Sequence, residues 1–266
     1  MKRLKLCAAE AMWRLPSRRL TGSKVDQYAE TLTEKGCCVI ENFLPFELTE
    51  RLERQAEGIL TESPEIVSLE SNGSDMRIYG IDRVSSSFIM KEELRIADEL
   101  MDSFNWRFFS NPEWFQLFGK IIYTDDNLGS GSGWHRDSPI KHQFKILIYL
   151  TDVHLSNGPF QYIEKSHTKD SLIKVAKRLK VDVDHYRFTE NEINTLIEEE
   201  LLPAPISVVG PKGTALLADT RGLHRGMPLR EGERKAITRY YFDGQIPKHF
   251  LEACPVLSNQ NLHKIE

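Results

Sequence analysis

Beyond Gly119 the chain breaks into short apolar runs separated by glycine or proline turns: KIIYTDD, GWHRD, FKILIYLTDV, PFQYIE, ISVVG, TALLAD, GLHRG and KAITRYYF. That spacing predicts an antiparallel barrel or jelly roll, each run supplying one strand and each turn reversing the chain. Residues 168 to about 202, including EINTLIEEELL, interrupt the series and are predicted as a helical insertion between two strands. Upstream, Ser23 caps a predicted helix that runs to Lys35 and stops at Gly36, and CCVIENF follows as a buried strand. Pro45 opens a second predicted helix, whose Leu48, Leu52, Gln55 and Ile59 form a stripe ending near Leu60. Residues 62 to 90 carry Pro64, Asn72, Gly73, Gly80 and three serines at Ser85 to Ser87, which predicts a long loop with short strands where binding groups often sit. Helical signal returns from about Glu92 to Ser103 and again after Asn111-Pro112. No repeat, low-complexity tract or Gly/Ser linker divides residues 1–266, so the chain is predicted as a single α+β domain, helices wrapped around a β core.

Composition excludes several functions. Thirty-five basic against 39 acidic residues leave a net charge of -4, which argues against a nucleic-acid partner. The four cysteines, Cys7, Cys37, Cys38 and Cys254, form no CxxC pair and are too sparse for a disulfide scaffold, so they are expected as free thiols in a reducing cytoplasm. No apolar run approaches the roughly 18 residues that cross a bilayer. The N-terminal segment, residues 1–22, is locally basic: Lys2, Arg3, Lys5, Arg14, Arg18 and Arg19 stand against Glu10 alone. With Leu4, Cys7, Ala8, Ala11, Met12 and Leu15 at helical spacing, residues 1–20 suit a peripheral contact with the inner face of an anionic membrane. The same pattern suits a helix packed on its own domain with a solvated basic face.

His135 and Asp137 stand two positions apart in GWHRD, so a strand there presents both side chains on one face. A His-x-Asp triplet is common by chance, and a surface hydrogen-bonded pair explains it equally well. His224, in GLHRG, lies 89 residues downstream and would complete two histidines and one carboxylate. That set is the facial triad, which holds Fe(II) on one face and leaves open positions for a bidentate cosubstrate and dioxygen. Ten residues later Arg234 begins a strand that places Arg234, Ala236, Thr238 and Tyr240 on one face and Lys235, Ile237, Arg239 and Tyr241 on the other. A buried guanidinium needs an anion, and its fork fits a carboxylate such as the distal one of 2-oxoglutarate. A salt bridge to Glu231 or Asp219 is the competing explanation for this arginine.

Several ordered segments resemble the phytanoyl-CoA dioxygenase family of Fe(II)/2-oxoglutarate oxygenases: YAETLTEKGCCVIENFLPFELTERL, GWHRD, LSNGPFQYIEKSH and LHRGMPLREGERKAIT, together spanning most of residues 25 to 242. The resemblance implies a double-stranded β-helix, the cupin-like jelly roll, with Fe(II) at His135, Asp137 and His224 and 2-oxoglutarate at Arg234. It departs at Gly226 and Met227, where many relatives carry a hydroxyl residue that assists cosubstrate binding. Thr238 and Tyr123 are the candidates to help there, each equally explained as a barrel-lining residue. Related halogenases replace the carboxylate of the triad with a small residue, so the presence of Asp137 favours hydroxylation of an unactivated C–H bond by O2, with 2-oxoglutarate converted to succinate.

Arg77 and Tyr79 in MRIYGID, with Lys141, are candidates to line the entrance and meet an anionic substrate, or are solvated loop residues. His167 is expected to stabilise a turn, and His142, His154, His185, His249 and His263 to be surface or satisfied core residues. Trp106, Phe108, Phe109, Trp114, Phe115 and Phe118 form an aromatic cluster expected in the core. The resulting expectation is a cytoplasmic hydroxylase of a small or lipid-linked metabolite, for instance the sugar of a bacterial glycolipid. A catalytically silent β-helix protein, sensing or structural, is the alternative. The substrate and the oligomeric state are not written in the sequence.

Overall fold

The computed structural model describes residues 24–70, 73–84, 109–125 and 127–257. The basic N-terminal segment and the helical signal from Glu92 to Ser103 lie outside these residues. Two antiparallel sheets face each other. The larger has the order β1 (Cys37–Ile40), β10 (Ala215–Asp219), β6 (Gln143–Tyr149), β12 (Glu233–Asp243), β4 (Pro112–Ile122), β3 (Asp75–Tyr79) and β2 (Ser68–Glu70). The smaller has the order β8 (Arg187–Phe188), β5 (Trp134–His135), β11 (His224–Gly226), β7 (Phe160–Tyr162) and β9 (Ile206–Val208). Apart from the consecutive strands β2, β3 and β4, neighbours are far apart in sequence, which is the double-stranded β-helix arrangement expected from the run of short strands.

Period-two alternation builds the layers. On β6, Phe144, Ile146 and Ile148 face outward, where they meet Ala29 and Leu32 of helix α1 (Lys24–Lys35) and Leu52 and Ala56 of helix α2 (Phe46–Glu62). Its other face turns Leu147 and Tyr149 toward Phe160 and Tyr162 of the smaller sheet. β12, hydrogen-bonded to β4 on one side and β6 on the other, alternates likewise: Ile237 and Tyr241 pack under the helices, Ala236 between the sheets. Lys235, on the helix side, pairs with Glu53 and Glu57 of α2 and with Glu233, clamping that helix to the sheet.

The insertion after Ser166-His167 folds into helices α3 (Lys169–Leu179) and α4 (Glu190–Glu198), separated by β8. Thr168 caps α3 by accepting from the Ser171 amide, and Thr189 with Glu192 forms a reciprocal capping box on α4. Val175, Ile193 and Leu196 cover the outer face of the smaller sheet through Trp134, Ile163 and Phe188. His167 Nε2 donates to the Thr33 carbonyl, tying this corner to α1.

One expectation is corrected. The segment after Asn111-Pro112 is no helix but the eleven-residue strand β4. Paired along both edges, by β12 and by β3, it buries apolar residues on both faces, so a continuous aromatic run there mimics a helical pattern. Phe115 and Phe118 of the aromatic cluster are fully buried in it, whereas Trp106 and Phe108 lie outside the described residues.

Candidate metal centre and its cleft

β5 and β11 are neighbours in the smaller sheet, and His135 is directly opposite His224, their rings 4.4 Å apart between centroids. Beyond the end of β5 the chain is held by the Asp137 amide donating to the Thr220 carbonyl, and this aims the carboxyl back at both rings. Asp137 Oδ1 lies 3.3 Å from His135 Nε2, and Oδ2 lies 3.5 Å from His224 Nε2. One ligand atom from each residue falls within 4.8 Å of the others, so His135, Asp137 and His224 can hold a metal ion.

The rings are prepared as ligands. His135 Nδ1 is 2.8 Å from the Gly133 carbonyl and His224 Nδ1 is 2.9 Å from the Gly222 carbonyl. Each Nδ1 therefore carries the proton, and each Nε2 turns its lone pair to the centre. His224 is fully buried, and its pKa is pushed down to about 3 by burial and by the nearby Lys145 ammonium, so the ring stays neutral. Burial alone would raise Asp137, but the Lys145 ammonium outweighs it and holds the carboxyl well below the usual range.

A glycine-serine run, residues 129–133, feeds β5 and shapes this corner. Gly131 has φ +81°, and a Cβ there would strike the His135 ring. Above it, a Cβ on Gly226 would meet Ser130 Cβ at 2.7 Å and Arg234 Nη2 at 3.0 Å. The place of a side chain at 226 is thus taken by Ser130, whose hydroxyl approaches Asp75 Oδ2 at 3.4 Å.

The triad opens into a cleft of about 550 Å³ walled by β3, β4 and β12. Arg234 lines it, 3% exposed, and its guanidinium donates to the Gly158 carbonyl; among the described residues no carboxylate pairs with it. Neither competing partner is used, since Asp219 is engaged by Arg221. Thr238 lies on the same face of β12 and also lines the cleft. Tyr123 does not: it follows the end of β4, is 45% exposed, and its hydroxyl donates to Asp125 at 2.6 Å. Its place beyond the last paired residue turns the ring to solvent rather than inward.

Arg77 and Tyr79 do line the cleft, as does the exposed Lys141 at its mouth. Arg77 is not a free cation. It makes two hydrogen bonds to Asp75, at 3.1 and 2.7 Å, and an ion pair to Glu70 at 3.0 Å, while Tyr79 donates to the same Glu70. Sequence reasoning passed over Lys145. It sits on β6, 5% exposed, with Nζ 3.2 Å from Asp137 Oδ2 and 2.9 Å from His224 Nε2. The signal was present, since a lysine inside a strand as apolar as FKILIYL requires an internal partner.

The chain superposes on the epimerase SnoN in complex with Fe3+, alpha ketoglutarate and nogalamycin RO, with TM-score 0.59, 13% identity, and 82% of this chain and 83% of that one covered. HygX from Streptomyces hygroscopicus with nickel and 2-oxoglutarate bound gives TM-score 0.54 and 18% identity over 85% and 88% of the two chains. A Pseudomonas putida prolyl-4-hydroxylase gives TM-score 0.54 and 13% identity over 83% and 100%. At such identities the likeness establishes the iron/2-oxoglutarate oxygenase fold. No curated protein sequence matches. The model of the phytanoyl-CoA dioxygenase (PhyH) family, however, matches residues 32–236, from α1 through the triad to Arg234, and the chain therefore belongs to that family.

Proposed function

We propose that the protein is an Fe(II)- and 2-oxoglutarate-dependent dioxygenase that hydroxylates an unactivated C–H bond of a small or lipid-linked metabolite. The observation that carries this reading is the pairing of three convergent ligand atoms with a buried, anion-free guanidinium in one cleft. The donor set fits the metal: two neutral imidazoles and one carboxylate on one side of the site suit Fe(II) and leave the cleft side open. An ammonium already held by Asp137 and His224 marks the same point as a seat for positive charge. His135, Asp137 and His224 would hold the iron, and Arg234, with Thr238 further along the same face of β12, would hold the distal carboxylate of 2-oxoglutarate.

Iron with its cosubstrate and O2 supplies the oxidant for hydrogen removal. The chain's own part is placement: the backbone carbonyls of Gly133 and Gly222 orient the imidazoles, Arg234 sets the far end of the cosubstrate, and the β3 wall faces the space left for substrate. That wall carries the Arg77, Asp75 and Glu70 cluster, whose charges are internally balanced, so the exposed Lys141 is the freer group for an anionic substrate. An epimerase is among the neighbours, so the product type rests on the intact Asp137 and on the cleft rather than on the fold.

The test is to add Fe(II) and then 2-oxoglutarate to metal-free protein under argon and to follow the visible band of an iron-chelated α-keto acid. The band is expected in the parent and lost in Asp137→Ala and His224→Ala. No band at saturating cosubstrate overturns the reading; where the band forms, succinate release across a metabolite panel identifies the substrate.

A further inference from the structure

Lys145 occupies the one position in the cleft where its charge and a metal ion would compete. Every residue of β6 is buried, so this ammonium has been placed in the interior by design of the strand rather than left there by chance. Its Nζ reaches two of the three ligand residues within hydrogen-bond distance, donating to Asp137 Oδ2 and to the His224 Nε2 lone pair. Asp137 is its carboxylate partner, and the other charged groups that face it, Arg77 and Arg234, repel it. A divalent ion bound by the triad must take the same atoms, and two cations cannot share them.

The ammonium also has support that does not depend on Asp137. Nζ lies 5.2 Å from the Phe160 ring centroid and 5.5 Å from that of Tyr240, so two aromatic faces flank the ammonium. The flexible four-carbon stem lets Nζ withdraw toward them without leaving the cleft. Released from Asp137, the ammonium would keep its aromatic flank but lose its carboxylate partner, with Arg77 and Arg234 still repelling it. Metal alone is then opposed by an adjacent uncompensated cation. An anion that chelates the metal removes that opposition.

We propose that Lys145 is a resident counter-cation that yields Asp137 to the incoming metal and then pairs with the metal-chelating carboxylate of 2-oxoglutarate, so that metal and cosubstrate bind cooperatively. This rests on the reading given under Proposed function. Lys145 is a positioning residue here and takes no part in bond making. By linkage, whatever factor the cosubstrate adds to metal affinity the metal adds to cosubstrate affinity.

The test titrates the full chain anaerobically with Co(II), with and without 2-oxoglutarate, following the cobalt absorption bands, in the parent, in Lys145→Met and in Lys145→Gln. In the parent, 2-oxoglutarate should raise Co(II) affinity by at least about tenfold. Lys145→Met should bind Co(II) alone at least about tenfold more tightly than the parent and 2-oxoglutarate more weakly, so the coupling shrinks toward unity. The opposite signs separate this from a packing role, which would weaken both ligands together. Lys145→Gln, neutral yet able to hydrogen-bond Asp137, repeats the test should the methionine variant not fold. Unchanged Co(II) affinity and unchanged coupling in a folded variant overturn the inference while leaving the metal site standing. Failure of parent and variants alike to take up Co(II) overturns the inference together with the metal-site reading.

Discussion

Gly131 and Gly133 make a matched pair that isolates how the loop before β5 sets the metal site. Both have strongly positive φ, +81° and +88°, but a Cβ at 131 would strike the His135 ring whereas a Cβ at 133 meets nothing within 4 Å. An L side chain in that region costs roughly 1–2 kcal/mol, and replacing glycine by alanine recovers about 0.4–1 kcal/mol from the unfolded chain. Gly131→Ala and Gly133→Ala should therefore each lose about 1 kcal/mol from the backbone, lowering Tm by roughly 2–4 °C for a chain of this size. Only Gly131→Ala must also push the imidazole aside by about 1 Å to regain van der Waals distance. Displacing one of three ligands by that much should weaken metal binding at least about tenfold, or about 1.4 kcal/mol. Calorimetric Tm and Co(II) titration on both variants give the comparison. Equal loss of metal affinity in the two, or parental affinity in Gly131→Ala, would refute the steric account.

Arg234→Met should raise the dissociation constant for 2-oxoglutarate about 10- to 150-fold, the worth of a charge-assisted pair of 1.5–3 kcal/mol, while Co(II) alone binds as before; both are read by titration. Tyr123→Phe, at a hydroxyl directed to Asp125 outside the cleft, should leave 2-oxoglutarate affinity unchanged, and a tenfold loss would return that tyrosine to the site. Arg221 neutralises the buried Asp219, so Arg221→Met should cost about 3–5 kcal/mol in urea unfolding, with much of the loss recovered in the double variant with Asp219→Asn. Burial would raise the Asp219 pKa, but the Arg221 guanidinium outweighs it and holds the carboxyl below its ordinary value. A depressed folded pKa gives stability that is present above the unfolded value of about 3.9 and lost as pH falls through the folded one. Asp219→Asn should therefore flatten the acid limb of a stability profile between about pH 5 and 2.

The legible part of the fold was local. Glycine and proline turns marked the strands, and the run from Ser23 to Gly36 bounded α1 within a residue. The three candidate ligands were readable as residue types in the order that the family segments supply, but strand alternation does not explain their facing, since β5 ends at His135 and Asp137 is aimed by its bond to the Thr220 carbonyl. What joins them was not readable. Nothing in the 88 residues between His135 and His224 announces that β5 pairs with β11, since that register is set by the closure of the whole smaller sheet. β4 misled for a related reason: a strand buried on both faces loses the alternation that identifies it, and its pairing with β3 and β12 is decided elsewhere in the chain. Ser130 at the place of a side chain on residue 226 was equally invisible, because it depends on one loop crossing over another strand.

The doubled role of β12 restricts how this protein can diverge. One face of the strand supplies Arg234, Thr238 and Tyr240 to the cleft, and the other supplies Lys235 and Ile237 to the helix-facing layer. Adding or removing one residue between Glu233 and Arg239 would exchange the two sets at a stroke, sending the Lys235 charge into the cleft and the Arg234 guanidinium against the acidic flank of α2. New chemistry at this cleft can therefore be reached by replacing side chains along the strand, whereas changes of length are confined to the loops before and after it. Among descendants of such a chain, insertions should gather around the glycine-serine run and the α3 to α4 segment, and β12 should keep its count of residues.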